Sequence, residues 1–550
     1  MATTQDTPPV TLGDATKLQN MCLTELEQKL FCALREVVEK NNLDVTLRVA
    51  GGWVRDKLFG SQMEHVDIDI ALDTMLGREF AELANEYLQK HEEERHRIAV
   101  IQRNPDQSKH LETARMLMFG LWIDFVNLRT EKYTHDSRIP EIEIGTPFED
   151  AMRRDLTINA LFYNINNDTV EDFTGLGISD LEKRIIRTPL HPLTTLLDDP
   201  LRALRAIRFT SRLNFSVDPD LYAAMSDPRV HQALLSKVSR ERVGKEVDLI
   251  MSAAQKPIQA LGLMCELSLF NVAFQTPPDK SRLLGPEPED LAYACLGCLI
   301  NLDSLFHHYA PNARSELSRD DLRIVRYAAL TAPLAGLKYI NEKRKETPVL
   351  KYVLQTQLRI RAKDVDTIHV IHEASLEVKA LVRDLNSESP PDADTFRLRT
   401  ALILREAGTW WRTAIKTALI TELNPACAAH TYANGIHCDP SALAVDQARF
   451  ATQYAEFERA VTALELGDIW ELRPFFSGKQ LMIDFPDIPR GPGIGLVLER
   501  MLHWQILNPA ATAAECREWL VPQIGHILEE VHSSGSENGS RSGSGKSAKR

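Results

Sequence analysis

The sequence has no long hydrophobic segment, few cysteines and no excess of positive charge. None of its 550 residues lies in a run approaching the roughly 20 apolar residues of a membrane span, so we expect no membrane association. Cys295 and Cys298 form the one CxxC pair, and no second Cys/His pair follows at zinc spacing, so we expect both side chains to pack in a helix. The cysteines are scattered along the chain, which suits a reducing compartment. The formal net charge of −13 argues against a simple basic nucleic-acid-binding protein.

The two ends of the chain are polar. Residues 1–22 form a polar extension that lacks the apolar segment of a signal peptide and has few arginines for a transit peptide, so we expect a cytoplasmic and nuclear protein. A mitochondrial form made from an alternative start stays open. Residues 533–550 are rich in Ser and Gly and carry basic residues, a composition that predicts a disordered basic tail.

Apolar periodicity predicts two kinds of architecture along the chain. Thr24 and Glu27 have capping-box spacing at the start of an amphipathic helix over residues 23–40. Short β-rich runs with helical segments between them then predict an α+β region with a small mixed sheet: 45–50, 66–72, 98–102, 121–128, 141–144 and 160–165. After about residue 187 helical patterns dominate, which predicts an all-α remainder.

The most informative stretch combines a glycine pair with closely spaced carboxylates. Gly51 and Gly52 follow a predicted strand, where the missing Cβ atoms let the backbone approach a phosphate. Asp67 and Asp69 are two residues apart on the next strand and therefore project from one face. Asp124 lies in a later strand and could complete the set. Paired carboxylates suit Mg²⁺ bound together with substrate phosphates, so the stretch predicts catalysis on a nucleoside triphosphate.

These residues resemble a known family, the class II tRNA nucleotidyltransferases of eukaryotic type, or CCA-adding enzymes, in the polymerase-beta-type nucleotidyltransferase superfamily. The resemblance covers about residues 23–509. The matching motifs are Gly51–Asp56 with Asp67 and Asp69, Arg153–Ala160, Asp172–Gly177, Asp198–Arg202, and Ser239–Arg242 with Glu246. It implies Mg²⁺ as cofactor and CTP and ATP as substrates. The predicted nucleotide-binding residues are Gly51, Gly52, Arg55, Arg154, Asp155, Asn159, Asp199, Arg202 and Arg205; the predicted catalytic residues are Asp67, Asp69 and Asp124, of which the first two hold the metal.

The fourth motif can be interpreted from its own chemistry. Asp199 and Arg202 are three residues apart at a predicted helix start and can present an acceptor beside a donor. Cytosine and adenine each place an amino donor next to a ring-nitrogen acceptor, which matches this pair. Uracil and guanine present the opposite order, and mispaired buried polar groups are costly. One side-chain pair therefore predicts selection of C and A without a nucleic-acid template. The alternative is that Asp199 and Arg202 form an ordinary surface salt bridge.

The resemblance also implies an organisation and a macromolecular partner. A polar loop around Lys109 separates two catalytic strands. Lys109, Lys479 and Arg490 are the candidate RNA contacts; the alternatives are a solvated loop for Lys109 and turn roles for the other two. We expect tRNA, gripped at its acceptor stem and elbow, as the partner of a monomeric enzyme. The implied domains are a catalytic head at 23–186, a neck at 187–262 that reads the base, a body at 263–395 and a tRNA-binding tail at 396–532.

The predicted function is template-independent addition of C, C and A to the 3′ end of tRNA from CTP and ATP, with release of pyrophosphate, by two-metal nucleotidyl transfer. Two alternatives stay open on sequence alone. One is a partial activity of the same superfamily, namely CC-adding, A-adding or poly(A)-adding. The other is a non-catalytic tRNA-binding protein on the same scaffold, against which the intact Asp67, Asp69 and Arg202 argue.

Overall fold

The structure is a computed structural model that divides into two compact units. It describes residues 10–11, 21–60, 68–91, 98–101, 113–132, 141–252, 257–279, 282–285, 290–308, 317–423, 445–486, 488 and 492–524. The first unit contains the described residues up to 279 together with the segment 351–361. The second unit contains the described residues between 282 and 350 and those after 361.

The first unit is built on a mixed eight-stranded sheet. Its spatial order is β1 (Val10–Thr11), β10 (Thr169–Asp172), β9 (Leu161–Asn164), β2 (Leu47–Ala50), β3 (Ile68–Leu72), β6 (Leu121–Asn127), β5 (Thr113–Met118) and β4 (Ala99–Ile101). Strands β3 and β6 are parallel, and the other neighbouring pairs are antiparallel. The predicted α+β architecture with a mixed sheet is confirmed.

Two parts of the strand prediction differ from the structure. The run Glu141–Ile144 (β8) lies outside the main sheet and pairs with Arg129–Lys132 (β7) in a separate ribbon, because the chain leaves β6 and turns back on itself at this point. Strand β5, like β1, β7 and β10, was not predicted; its outward positions include Thr113 and Arg115, which interrupt the apolar run. A short parallel pair, β11 (Ile185–Ile186) with β12 (Ser216–Val217), completes the strands described in this unit.

Helices surround this sheet and continue the first unit. They are α1 (Glu25–Lys40), α2 (Gly52–Leu58), α3 (Gly77–Lys90), α4 (Pro147–Met152), α5 (Gly177–Lys183), α6 (Pro192–Asp198), α7 (Leu201–Leu213), α8 (Pro219–Met225), α9 (Pro228–Lys237), α10 (Arg240–Ser252), α11 (Pro257–Glu266) and α12 (Phe270–Ala273). Helix α1 begins with the predicted capping box of Thr24 and Glu27. The Glu27 carboxylate also accepts hydrogen bonds from Trp53 Nε1 (2.9 Å) and Lys57 Nζ (2.6 Å), so it ties α1 to α2.

The second unit is mostly helical. A small antiparallel sheet contains β13 (Leu283–Leu284), β14 (Lys338–Ile340) and β15 (Glu346–Pro348). The helices are α13 (Leu291–His308), α14 (Arg319–Leu330), α15 (Val349–Lys351), which leads back to the first unit, α16 (Ala362–Leu385), α17 (Ala393–Ala407), α18 (Trp411–Glu422), α19 (Val445–Ala463), α20 (Gly478–Asp484) and α21 (Pro492–Leu507). Cys295 and Cys298 are buried in α13, as expected from helix packing. No helix in the described ranges is long and apolar enough to cross a membrane.

The segment 351–361 joins the first unit after the chain has already passed through part of the second. It packs against α10, where a Cβ at Gly244 would overlap the backbone carbonyl of Leu358. The Arg240 guanidinium donates to the carbonyl oxygens of Gln357 (3.0 Å) and Val272 (3.1 Å). Glycine is therefore required at this contact, and Arg240 connects the returning segment to residues near the end of α12.

Candidate active site

The turn between β2 and α2 requires glycine at its first position. Gly51 has a φ of +72°, a conformation that costs L side chains energy. A Cβ at Gly51 would also lie 2.8 Å from Arg154 Nη1 and 3.2 Å from the carbonyl oxygen of Asn159. The glycine pair thus lies where the sequence predicts it, between a strand and a helix. Its backbone is in contact with the second predicted motif.

Asp150, which the sequence analysis missed, fixes both arginines of the second motif. Its Oδ1 accepts from Arg153 Nη2 (2.5 Å), and its Oδ2 accepts from Arg154 Nη2 (2.7 Å). Burial by itself would favour the neutral acid, but the two guanidinium groups outweigh it and lower the Asp150 pKa to about 2. The i, i+3 and i, i+4 spacing after the Thr146 capping box is the sequence signal that could have identified it.

We expect Asp150→Asn to destabilise the protein by about 3 kcal/mol at pH 7, because the variant leaves two partly buried guanidinium groups without their buried carboxylate. The lowered pKa means that the carboxylate stabilises the fold above about pH 4. That contribution, about 2 kcal/mol, is lost as the pH falls towards 2. Urea unfolding at several pH values checks this. The stability difference between wild type and variant should shrink from pH 5 to pH 2; a difference independent of pH would contradict the prediction.

Asp155 connects the second motif to helix α7. Its Oδ1 accepts from Asn159 Nδ2 (3.1 Å), and its Oδ2 accepts from Arg205 Nε (2.7 Å). Burial opposes ionisation, yet the Arg205 charge and the Asn159 hydrogen bond prevail and lower the Asp155 pKa to about 2. Asn159 Oδ1 in turn accepts from Arg55 in α2. Four residues predicted to bind the nucleotide therefore form one connected network.

Helix α7 contributes a row of arginines to the same region. Glu246 of α10 binds Arg208 Nε (2.6 Å) and lies 3.5 Å from Arg205 Nη1. The guanidinium of Arg208 lies 4.4 Å from the ring centroid of Phe209, and that of Arg55 lies 4.9 Å from the same centroid. Phe209 was not identified from the sequence, where it looks like an ordinary core residue. The ring and Glu246 hold several positive charges close together beside the glycine turn.

Asp69 and Asp124 lie opposite each other on the parallel strands β3 and β6. Asp69 is exposed between the buried Ile68 and Ile70, and Asp124 is partly exposed between two fully buried residues. Alternation therefore places both carboxylates on the open face of the sheet. Asp67, the predicted partner, lies outside the described residues. Within those residues no group of three or more His, Cys, Asp or Glu side chains forms a metal site; two oxygen-donor carboxylates on one face nevertheless fit Mg²⁺.

Asp199 and Arg202 flank the start of α7. Asp199 Oδ1 accepts from the Leu201 backbone N–H (3.2 Å), and its Oδ2 accepts from Arg242 Nη2 (2.8 Å). Arg202 is only 8 % exposed and donates from Nη2 to the Arg153 carbonyl (2.6 Å). The ion pair of Asp199 is thus made with Arg242 of the fifth motif. Arg202 reaches from α7 to the second motif.

None of the predicted RNA contacts is a described residue of the first unit. Lys479 is an exposed residue of α20 in the second unit. Lys109 and Arg490 lie outside the described residues, as does the basic stretch 533–550.

Comparisons with known proteins show which proteins this chain is similar to. A sequence model of the poly A polymerase head domain matches residues 47–187. The chain is 35 % identical to the mitochondrial CCA tRNA nucleotidyltransferase of Saccharomyces cerevisiae, covering 90 % of this chain and 92 % of that protein. It is 34 % identical to the mitochondrial CCA tRNA nucleotidyltransferase of Candida glabrata, covering 94 % and 98 %.

Solved structures share the fold. A CCA-adding enzyme in complex with ATP superimposes with a TM-score of 0.54 at 20 % identity, covering 95 % of this chain and 98 % of that chain. A complex of a CCA-adding enzyme with CTP gives a TM-score of 0.53 at 20 % identity, covering 93 % and 96 %.

The mixed sheet, the glycine turn and the facing carboxylates define a nucleotidyltransferase with a poly A polymerase head domain. The chain is similar to CCA tRNA nucleotidyltransferases over nearly its full length. It therefore belongs to that family and is an enzyme of that type. The family resemblance and the enzyme class predicted from the motifs are confirmed.

Proposed function

We propose that this enzyme adds C, C and A in turn to the 3′ end of tRNA, using CTP and ATP and releasing pyrophosphate. The observation that carries the proposal is the placement of Asp69 and Asp124 on one sheet face of a unit that also holds the Gly51 turn, Asp155 and Asp199. The names of the relatives and the ATP and CTP complexes of CCA-adding enzymes support the substrates.

The reaction forms one bond and breaks another at the α-phosphorus of the nucleotide. The terminal 3′-hydroxyl oxygen of tRNA attacks this phosphorus and gives up its proton, while the bond to pyrophosphate breaks. Asp67, Asp69 and Asp124 would hold Mg²⁺, which when bound lowers the pKa of the attacking hydroxyl and stabilises the leaving oxygens. The arginines of the second motif and of α7 offset the negative charge of the triphosphate.

Base selection is assigned to Asp199 and Arg202. Arg242 binds one carboxylate oxygen of Asp199, and the Leu201 N–H binds the other, so the carboxylate is held in one orientation. Arg202 is fixed by the Arg153 carbonyl in the same way. A fixed acceptor and donor discriminate between bases better than mobile side chains, because they cannot rotate to pair with a base that presents the opposite order. Cytosine and adenine match their order.

Nucleotide addition to defined tRNA transcripts tests the proposal. Transcripts that end at the discriminator base are incubated with CTP alone, ATP alone or both, and the products are resolved at single-nucleotide resolution. We expect two additions with CTP alone and three with both nucleotides. No extension with CTP alone would contradict CCA addition. An enzyme that extends only transcripts already ending in CC, and does so with ATP, would be an A-adding enzyme.

We also propose that the protein acts as a monomer on the acceptor stem and elbow of tRNA, with Lys479 and Arg490 of the tail among the contacts. Because two relatives are named as mitochondrial enzymes, we propose a mitochondrial form in addition to a cytoplasmic and nuclear one. Localisation of the tagged full-length protein by microscopy tests this.

A further inference from the structure

The sheet face that carries the two carboxylates also carries an exposed tryptophan with no role in the proposed chemistry. Trp122 lies on β6 two residues before Asp124, and the intervening Ile123 is fully buried. Alternation therefore puts Trp122 and Asp124 on the same face, about 7 Å apart along the strand. Trp122 is 47 % exposed, although a side chain of this size is usually well buried.

Arg115 connects the indole ring to the carboxylate. It lies on the neighbouring strand β5, opposite Asp124 in the strand register. Its guanidinium carbon is 5.2 Å from the centroid of the Trp122 ring, and its Nε is 3.6 Å from Asp124 Oδ1. An exposed aromatic ring beside a guanidinium group is the combination that binds unpaired nucleotides, since the ring stacks on the base and the cation attracts the backbone phosphate.

The strand order separates this pair from the predicted triphosphate site. Across the sheet, β2 with the Gly51 turn lies on one side of β3 and β6, and β5 with Arg115 lies on the other. Asp69 and Asp124 are therefore between Gly51 and Arg115. In nucleotidyl transfer the attacking oxygen and the leaving pyrophosphate are roughly in line on opposite sides of the phosphorus. With the triphosphate on the Gly51 side, the attacking RNA end enters on the Arg115 side.

We propose that Trp122 and Arg115 bind the unpaired 3′-terminal nucleotide of the acceptor RNA. The indole stacks on the terminal base and positions the ribose 3′-hydroxyl next to Asp124, and this role rests on the proposed function. Stacking tolerates any base, because every base has a π-face. The same platform therefore accepts the discriminator base before the first addition and cytosine before the second and third. Trp122 is a positioning residue, distinct from the pair that reads the incoming nucleotide.

A thermodynamic cycle between protein and RNA tests the proposal. The full-length enzyme and its Trp122→Leu variant are measured with two acceptor RNAs, one with a normal 3′-terminal nucleotide and one with an abasic ribose there. Binding is read without nucleotides by fluorescence anisotropy, and kcat/KM for CTP addition is read separately. We expect Trp122→Leu to raise the Kd of the normal acceptor about 10- to 100-fold, the range of base–aromatic stacking. The abasic acceptor should bind both proteins equally weakly.

Further variants separate stacking from folding. Trp122→Phe keeps an aromatic face and should recover most of the binding. Phe148→Leu removes an aromatic side chain of nearly equal exposure (46 %) elsewhere in the unit and should leave the Kd unchanged. Arg115→Gln leaves the indole in place and should raise the Kd by a smaller factor that fades at high salt. If Trp122→Leu does not fold, Trp122→Thr replaces it in the cycle, because threonine favours a β-strand and has no aromatic face.

The proposal would be overturned if Trp122→Leu weakened binding of the abasic acceptor by the same factor as binding of the normal acceptor. It would also be overturned if Trp122→Leu bound the normal acceptor like wild type. The binding measurement needs no nucleotide. It therefore decides the role of Trp122 even if the wild-type enzyme fails to extend the acceptor with CTP, a result that would contradict the proposed function alone.

Discussion

Replacing Asp69 with Ala is expected to reduce kcat/KM for CTP addition by about 10³-fold, a loss of about 4 kcal/mol of transition-state stabilisation. Asp69 faces Asp124 across the parallel strands, on the face where the triphosphate and the RNA end would meet. Because Asp69 is exposed, the variant should keep the thermal stability of the wild type. Single-turnover extension of a tRNA transcript measures the loss.

Glu82→Gln is the matched control for this substitution. Glu82 is an exposed carboxylate of α3 that pairs with Arg78 at 2.9 Å, so its removal changes the surface charge by the same amount. We expect this control to keep wild-type activity. An Asp69→Ala enzyme that retains more than a tenth of the wild-type rate would show that Asp69 is not a catalytic carboxylate.

The second large effect is expected on base selection. Asp199→Asn keeps the shape of the side chain but replaces one acceptor oxygen by an amide donor, which can face the O4 carbonyl of uracil. We expect the ratio of kcat/KM for UTP to that for CTP to rise by about 10²-fold, mostly through loss with CTP. Competition assays with paired nucleotides, resolved by product sequencing, measure this ratio.

Asp227→Asn is the control for the base-selection experiment. Asp227 forms an ion pair with Arg229 at 2.7 Å, close to the 2.8 Å between Asp199 and Arg242, and the two aspartates are about equally exposed; Asp227, however, caps α9 and belongs to none of the five motifs. Its variant should select nucleotides as the wild type does. If Asp199→Asn also left nucleotide selectivity unchanged, Asp199 would serve only as the ion-pair partner of Arg242. Its role would then be structural, and it would not read the base.

Local patterns carried the sequence predictions, and tertiary contacts limited them. The capping box at Thr24 and the alternation around Asp69 depend on neighbours within a few residues, so they could be predicted from the sequence. The pairs Asp155 with Arg205 and Asp199 with Arg242 join residues 50 and 43 positions apart. Nothing in the local sequence specifies them, because they depend on how α7 and α10 pack.

The environment of Trp122 could not be predicted from the local sequence either. Its strand was predicted correctly, but alternation alone does not indicate which side of a strand is covered by other elements. The burial of Ile123 and Phe125 identifies the open face, and the pairing of β5 with β6 brings Arg115 to the indole. The strand that supplies Arg115 is also one of those that the apolar pattern failed to predict.

The contact between Gly244 and Leu358 has a consequence for how the protein can be divided. The catalytic unit is discontinuous in the chain, because residues 351–361 return to it from beyond residue 350. A fragment that ends at residue 281 would lack this segment. Arg240 would then lose its hydrogen bond to the Gln357 carbonyl oxygen. Domain exchange between relatives therefore has to preserve two separate stretches of sequence. A single crossover after residue 361 keeps the described part of the first unit together but separates residues 282–350 from the rest of the second unit, so each unit has to be exchanged as separate stretches.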